Sequence, residues 1–380
     1  MTKNNWDPYV QIGSEKMDEF LKSHFIQTNR KLLFILGVGF DIRMNIILRK
    51  LVSLLPNLNL EILLIEFDEG ATSSSHRYKH LVNENVEELR AISGEKPVSI
   101  KRIRLIEEKK GKKKWIGDVQ AADIIKDYSD LSPFSDIMVD ISALPRSVYP
   151  SLVGKVLSLI EREGNTSQIN FFVATSENAG IDNQIQESGA EDNLDYLKGF
   201  GGGIEKTSEE EKPIIWFPIL GENKLSHLKK AYSHIIQLHD RPYEICPVLP
   251  FPSKNLRRAD SLIIEYHAWL FDELGVESKD IIYVPEQNPF ETYIRLNNSI
   301  KNYNDSLKTL GGCKAVISNF SSKLLSIGTI LTGHELRSDI GVGILNVASE
   351  GYIINDESEL KNLKNLSEVF LTWVTGEPYR

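Results

Sequence analysis

The feature that most constrains this chain is a rhythm, in which short runs of apolar, β-favouring residues alternate with longer amphipathic runs. KLLFILGVG is followed by the helix-like IRMNIILRKLVSLL, then by LEILLIEFDEG and a helical stretch around SHRYKHLVNENVEELRAI. SIKRIRLIEE, a helix near VQAADIIKDYSD, the strand DIMVDIS, the helix RSVYPSLVGKVLSLIERE and the strand QINFFVATS continue it. Short β-rich runs ending in glycine or polar turns, separated by runs of helical period, are the mark of βαβ units. The strand runs are continuously apolar rather than alternating, which predicts a mostly parallel sheet covered on both faces.

Between residues 177 and 212 the periodicity fades into glycines, acids and amides, predicting a linker or a long surface loop. The rhythm then resumes: IIWFPIL, LSHLKKAYSHIIQL, YEICPVLP, ADSLIIEYHAWLFDEL, DIIYVPE, ETYIRLNNSIKNYNDSLKTL, KAVISNF, SKLLSIGTILTGHEL, VGILNVAS and a C-terminal helix. A chain of 380 residues exceeds one ordinary core, so two domains are expected. The expectation is an α/β protein of two Rossmann-like lobes with mostly parallel sheets covered by helices. Residues 1–176 form the first lobe, 177–212 the connection and 213–380 the second.

Charge and cysteine content narrow the function classes. With 53 acids against 44 Lys and Arg the formal charge is -9, which disfavours a nucleic-acid binder relying on a broadly basic surface. Cys246 and Cys313 are the two cysteines, too few for a disulfide framework or a multi-cysteine zinc site, and they suit a reducing, cytoplasmic setting. No uninterrupted apolar segment reaches the roughly 20 residues of a membrane helix, and the N-terminus lacks the pattern of a signal peptide. The eight histidines show no metal spacing, and no HExxH, CxxC or Walker lysine loop occurs, so no metal ligands are assigned.

Open α/β sheets bind ligands at the carboxyl ends of their strands, where strand order reverses. Four strand ends carry polar residues. LGVGFDIRMN places Gly37, Gly39, Asp41 and Arg43 where a buried strand hands over to a helix; glycines there admit close backbone approach, and a helix start favours anions. The third glycine of a dinucleotide fingerprint is replaced by Ile42, which weakens an NAD reading. Asp68 and Glu69 end the second strand, where Asp68 is placed to grip a ribose hydroxyl. Asp140, Ser142 and Arg146 end another strand, and Ser321, Ser322 and Lys323 follow the corresponding strand of the second half. Each has a plainer reading: Asp41 and Ser322 as helix caps, Asp68 as a turn residue, Arg146 as an ion-pair partner. EEKKGKKKWIG sets five lysines beside Trp115, read either as a single-strand binder or as a solvated hairpin tip.

VDISALPRSVYP resembles the strand, hydroxyl, basic residue and helix segment of CARF domains, the Rossmann-like sensors of cyclic oligonucleotides in CRISPR-associated and related antiviral proteins. Asp140, Ser142 and Arg146 fit that pattern, while Ala143 and Leu144 stand where the family has a glycine-containing loop. ISNFSSKLLSIGTIL is similar in the second half, with Ser321, Ser322 and Lys323 before a helix in which Gly328 allows tight packing. The resemblance implies two CARF-like folds with a pseudo-symmetric groove and no separate effector domain.

Three functional readings follow. The leading one is a nucleotide- or oligonucleotide-binding sensor or regulatory subunit in bacterial antiviral defence, self-associating and acting with a partner protein. The second is a nucleotide-processing hydrolase or transferase, with Asp41 and Asp140 as catalytic base or magnesium ligands and Asp68 converging on them. The third is a scaffold subunit. The glycine turn and VDISALPR are expected to face each other across one cleft, with Arg43 and Arg146 pointing into it.

Overall fold

The fold, taken from a computed structural model, is described for residues 4–26, 29–70, 73–109, 112–163, 169–192, 194–201, 204, 212–239 and 241–379. Two compact units make up the chain. One comprises Pro8–Ser188 with Ser349–Arg380, the other Met1–Asp7 with Gly189–Ala348. The Gly189–Ala348 part of the second unit is thus inserted into the first, and Met1–Asp7 joins it from before the first; the boundaries 1–176 and 213–380 are corrected accordingly. The expected C-terminal helix is also corrected. A short helix, Glu357–Leu363, precedes a final strand, Glu368–Thr375, whose run EVFLTWVT is buried along nearly its whole length.

The first sheet runs in the order Val10–Ile12, Glu368–Thr375, Asn170–Glu177, Asp136–Asp140, Lys31–Gly37, Asn59–Asp68, Val98–Arg104. Its last five strands are parallel, and Glu368–Thr375 joins them antiparallel beside Asn170–Glu177. Numbered along the chain, the parallel strands have the order 3-2-1-4-5, the doubly wound arrangement. LLFILG, DIMVD and NFFVATS are buried throughout because helices lie on both faces. One of these is Tyr149–Arg162, which Pro150 starts and which buries ten of its residues.

The second sheet repeats this order. Its parallel strands Ile214–Ile219, Val248–Pro250, Ile282–Val284, Lys314–Asn319 and Val342–Asn346 again stand as 3-2-1-4-5, with the short Asp195–Tyr196 antiparallel at one edge. The helix Lys323–Leu336 is apolar nearly all round and buried. Gly328 lets it approach the helix Pro289–Ser306, since a Cβ there would stand 2.5 Å from the Pro289 carbonyl oxygen. Two mostly parallel α/β units are therefore present, as the apolar rhythm predicts.

The stretch 177–212, expected as linker or loop, is structured in its first part. Asn178 caps the helix Ala179–Gln184 by accepting from the Gly180 and Ile181 N–H groups at 2.9 and 3.2 Å. The strand Ile185–Ser188 then pairs antiparallel with Gly351–Ile354 to form a two-stranded ribbon. Asp195–Tyr196 joins the second sheet. Residues 193, 202–203 and 205–211 lie outside the described residues.

Candidate functional site at the strand ends of the first unit

In a 3-2-1-4-5 sheet the order reverses between strands 1 and 4, here Lys31–Gly37 and Asp136–Asp140, which pair from Leu32↔Asp136 to Leu36↔Asp140. The turns that follow these strands are LGVGFDIR and VDISALPR, so the two motifs flank one switch point. They meet closely. A Cβ on Gly37 would lie 2.4 Å from Leu144 Cδ2 and 3.3 Å from Phe67, and one on Gly39 would lie 3.4 Å from the Ala143 carbonyl oxygen. For Gly37 the expectation of ligand approach is therefore corrected: it makes room for Leu144, which is 1% exposed, whereas Gly39 meets only ordinary contacts.

Asp41 caps a 3-10 turn, Ile42–Asn45, by accepting from the Arg43 N–H at 2.9 Å. Its carboxylate also takes a two-pronged pair from Arg43, with Nε to Oδ1 at 3.0 Å and Nη2 to Oδ2 at 2.7 Å. Arg43 turns its other prong, Nη1, to Asp182 Oδ1 at 2.8 Å. Asn85 holds the turn from behind, its Nδ2 donating to the carbonyls of Gly39 and Asp41 at 2.9 and 3.0 Å. Burial alone would push the Arg43 guanidinium down, but the carboxylates of Asp182 and Asp41 outweigh it and raise its pKa well above the ordinary value.

Asp140 and Ser142 serve the fold rather than an open cleft. Asp140 Oδ1 accepts from the Ser142 N–H at 2.9 Å, and the Ser142 hydroxyl accepts from the Ser176 N–H at 2.8 Å, tying adjacent strand ends together. Both side chains are buried. Asp68 accepts from the Gly70 N–H at 2.8 Å, closing a turn in which Gly70 has φ 88°. Among the described residues no group of three His, Cys, Asp or Glu side chains is placed to hold a metal ion, so the expected convergence of Asp41, Asp68 and Asp140 on magnesium is not formed.

Arg146 is half-buried. Burial opposes its charge, and the field of Tyr149, Glu187, Tyr352 and Asp182 raises its pKa in compensation. Asp182 is thus common to the surroundings of Arg43 and Arg146. Asp182, Glu187 and Tyr352 all belong to a cap over the strand ends, built from the helix Ala179–Gln184, the ribbon and the helix Glu357–Leu363. Ile181, Ile42 and Leu360 form one apolar contact beneath the cap, while Phe40, Tyr78 and Leu81 form another against Ile185, Tyr352 and Ile354. The ribbon is held by the Tyr352 N–H donating to Ser74 Oγ at 2.7 Å and the Ile354 N–H donating to the Tyr78 hydroxyl at 2.9 Å. The helix Glu357–Leu363 is tied to the helix Lys79–Ser93 by Lys361 with Glu84 and by Glu357 Oε2, 2.8 Å from His80 Nε2, and Lys364 just beyond it pairs with Glu88.

Sequence reasoning missed Asp182, Glu187 and Tyr352. They fall in segments without strong periodicity, and only pairing with a partner some 160 residues away makes the ribbon. The lysine-rich stretch folds as the hairpin Ile106–Lys109 with Lys112–Trp115; its tip, residues 110–111, lies outside the described residues.

In the second unit, Ser322 caps the helix Lys323–Leu336 by accepting from the Leu325 N–H at 3.2 Å, and the Ser321 N–H donates to Asn319 Oδ1 at 2.8 Å. Lys323 follows at the first helical position. At this unit's own switch point a Cβ on Gly221 would lie 2.2 Å from the Phe320 carbonyl oxygen, so strand ends 1 and 4 again approach through a glycine. Arg258 pairs there with Glu222, at 2.6 Å, and with Glu286. A surface hollow of about 340 Å³ lies elsewhere in this unit, against Tyr283, Arg295 and Asn298.

No family model matches the chain, and no curated protein matches it. Among solved structures it is similar to a universal stress protein from Archaeoglobus fulgidus DSM 4304, at 10% identity and a TM-score of 0.22, covering 83% of this chain and 96% of that one. Protein PA1789 from Pseudomonas aeruginosa PAO1 aligns at 8% identity and a TM-score of 0.23, over 88% and 96% of the two chains. The zinc-inhibited form of teicoplanin deacetylase Orf2 aligns at 9% identity and a TM-score of 0.27, over 44% and 77%. Likenesses of this size carry no argument about what this chain binds. Among the described residues no helix is long and apolar enough to cross a membrane.

Proposed function

We propose that the protein is a nucleotide- or oligonucleotide-binding sensor, with its ligand at the strand ends of the first unit and Arg43 and Arg146 as the phosphate contacts. The observation that carries this reading is the ion pair of Arg43 with the half-exposed Asp182 at 2.8 Å, at one of the two turns flanking the switch point, with Arg146 on the other turn lying in the field of the same acid. Guanidinium groups at such a place suit phosphate oxygens, and carboxylates standing beside them hold the positions that phosphate would take. Asp182 is 53% exposed at its side chain, so an incoming anion meets the pair from solvent.

The likeness of VDISALPRSVYP to CARF segments adds an antiviral setting to the reading, along with a cytoplasmic location, self-association and a partner protein that responds to the bound state. Mass spectrometry of small molecules released on denaturing the purified protein, followed by calorimetric titration of the recovered species, tests it. A nucleotide or short oligonucleotide is expected, with binding lost in Arg43→Gln and Arg146→Gln while circular dichroism stays native. Absence of binding across mononucleotides and cyclic or linear oligonucleotides overturns it.

A further inference from the structure

The chain passes between its two units at three places, Asp7/Pro8, Ser188/Gly189 and Ala348/Ser349. Two of these are continuous with the ribbon: Ile185–Ser188 runs out into the inserted unit, and Gly351–Ile354 is the first strand after the return. The ribbon is therefore both the cap over the strand ends and the stem of the insertion. Its register places Tyr352 opposite Glu187, and both lie in the electrostatic surroundings of Arg146, while Arg43 pairs with Asp182 of the preceding helix at 2.8 Å. The Ser349 hydroxyl, one residue past the return, donates to Glu187. Phe40, from the glycine turn itself, packs its ring 5.7 Å from that of Tyr352.

We propose that this ribbon is a relay, in which an anionic ligand group engaging Arg146 and Arg43 takes the places of Glu187 and Asp182 and so loosens the stem of the inserted unit. The relay rests on the nucleotide-binding reading above. It requires only that the ligand's contacts to the two arginines be better in one state of the ribbon than in the other, since a ligand shifts the equilibrium by its differential affinity for the two states. Tyr149, Glu187, Tyr352 and Asp182 contribute to the field at Arg146, and of these Tyr149 alone lies outside the cap.

Hydrogen exchange of the full chain, with ATP and with inorganic tripolyphosphate as probes, reads the ribbon directly. Faster exchange in 185–188 and 351–354 on binding is expected. Glu187→Gln and Asp182→Asn should each bind the probe about fivefold more tightly than the unaltered protein. Tyr78→Phe, which removes the phenol accepting from Ile354 without touching a charge, should loosen the ribbon and tighten binding in the same direction. Probe binding with unchanged ribbon exchange and unchanged affinity in all three variants overturns the relay while leaving the nucleotide reading intact. No binding by the unaltered protein or any variant overturns both.

Discussion

Leu144 Cδ2 stands where the first side-chain atom of residue 37 would be, within 2.4 Å of it, and this single exclusion joins the two turns at the centre of the first sheet. Replacing Gly37 by alanine forces either Leu144 or the strand end to move. Overpacking of this kind costs about 1–3 kcal/mol. Denaturant midpoints of Gly37→Ala, Leu144→Ala and the double variant should show coupling, the double variant being less destabilised than the sum. Strict additivity would mean that the two residues do not exclude one another. Gly39→Ala, which meets only an ordinary contact, should be milder.

At the opposite end of the same sheet lies a buried charge network. Asp136 accepts from Arg30 Nη1 at 3.3 Å and from Ser135 Oγ at 2.6 Å, and lies 2.7 Å from His24 Nε2; Arg30 also reaches Glu377 at 2.6 Å. Removing one partner of a buried pair strands the other, at a cost of about 3–5 kcal/mol. Asp136→Ala is expected to lower the unfolding midpoint by that order, measured by chemical denaturation. A change below about 1 kcal/mol would show that Glu377 alone suffices to hold Arg30.

The second unit includes the start of the chain. The Asn5 N–H donates to the Tyr293 hydroxyl at 3.0 Å, Asn297 Nδ2 donates to Asn4 Oδ1 at 2.9 Å and to Glu335 at 2.8 Å, and Trp6 packs edge-on to Tyr293 at 5.1 Å. Trp6 is 3% exposed. Trp6→Ala should destabilise this unit by about 3–5 kcal/mol, seen as an earlier transition by calorimetry.

Glu335 supplies a pH signature for the same cluster. Burial opposes its ionisation, but hydrogen bonds from Tyr293, Asn297 and Lys301 prevail and hold its pKa below the ordinary glutamate value. A carboxylate depressed in the folded state contributes stability that is full above its unfolded pKa and is lost as pH falls through the folded one. Glu335→Gln should therefore flatten the acid limb of the stability curve of this unit, and an unchanged limb would remove Glu335 from the account.

Both cysteines are inert by construction. Burial pushes the Cys246 thiol up to about 12 and the Cys313 thiol up to about 11, so neither forms thiolate near neutrality. Ellman's reagent at pH 8 should label neither in the native protein and both after denaturation. Rapid labelling of either in the native state would contradict their burial.

The two sheets were legible because their strands are covered on both faces, and a run such as LLFILG or DIMVD carries that burial in its composition. The pairing of the two turns was legible too, since fourth strands beside first strands follow from the doubly wound order. What the turns contain was not. Gly37 reads identically whether it faces a phosphate or a leucine, and Leu144, the residue that decides, stands in the sequence only as a departure from a glycine loop. Arg43 and Arg146 carried no sign of their acidic partners, because Asp182 and Glu187 sit in a polar stretch whose order depends on the distant Gly351–Ile354. The final strand, EVFLTWVT, was hidden behind the polar run that precedes it.

That final strand lies between Asn170–Glu177 and Val10–Ile12, and among the described residues Val10–Ile12 pairs with no other strand. During synthesis, the sheet that begins at residue 10 cannot close its antiparallel side until residue 375 has left the ribosome, whereas the strands of the inserted unit are all made by residue 346. The sheet whose strands are begun first is therefore expected to be completed last, its exposed strand edge Asn170–Glu177 waiting as a template throughout.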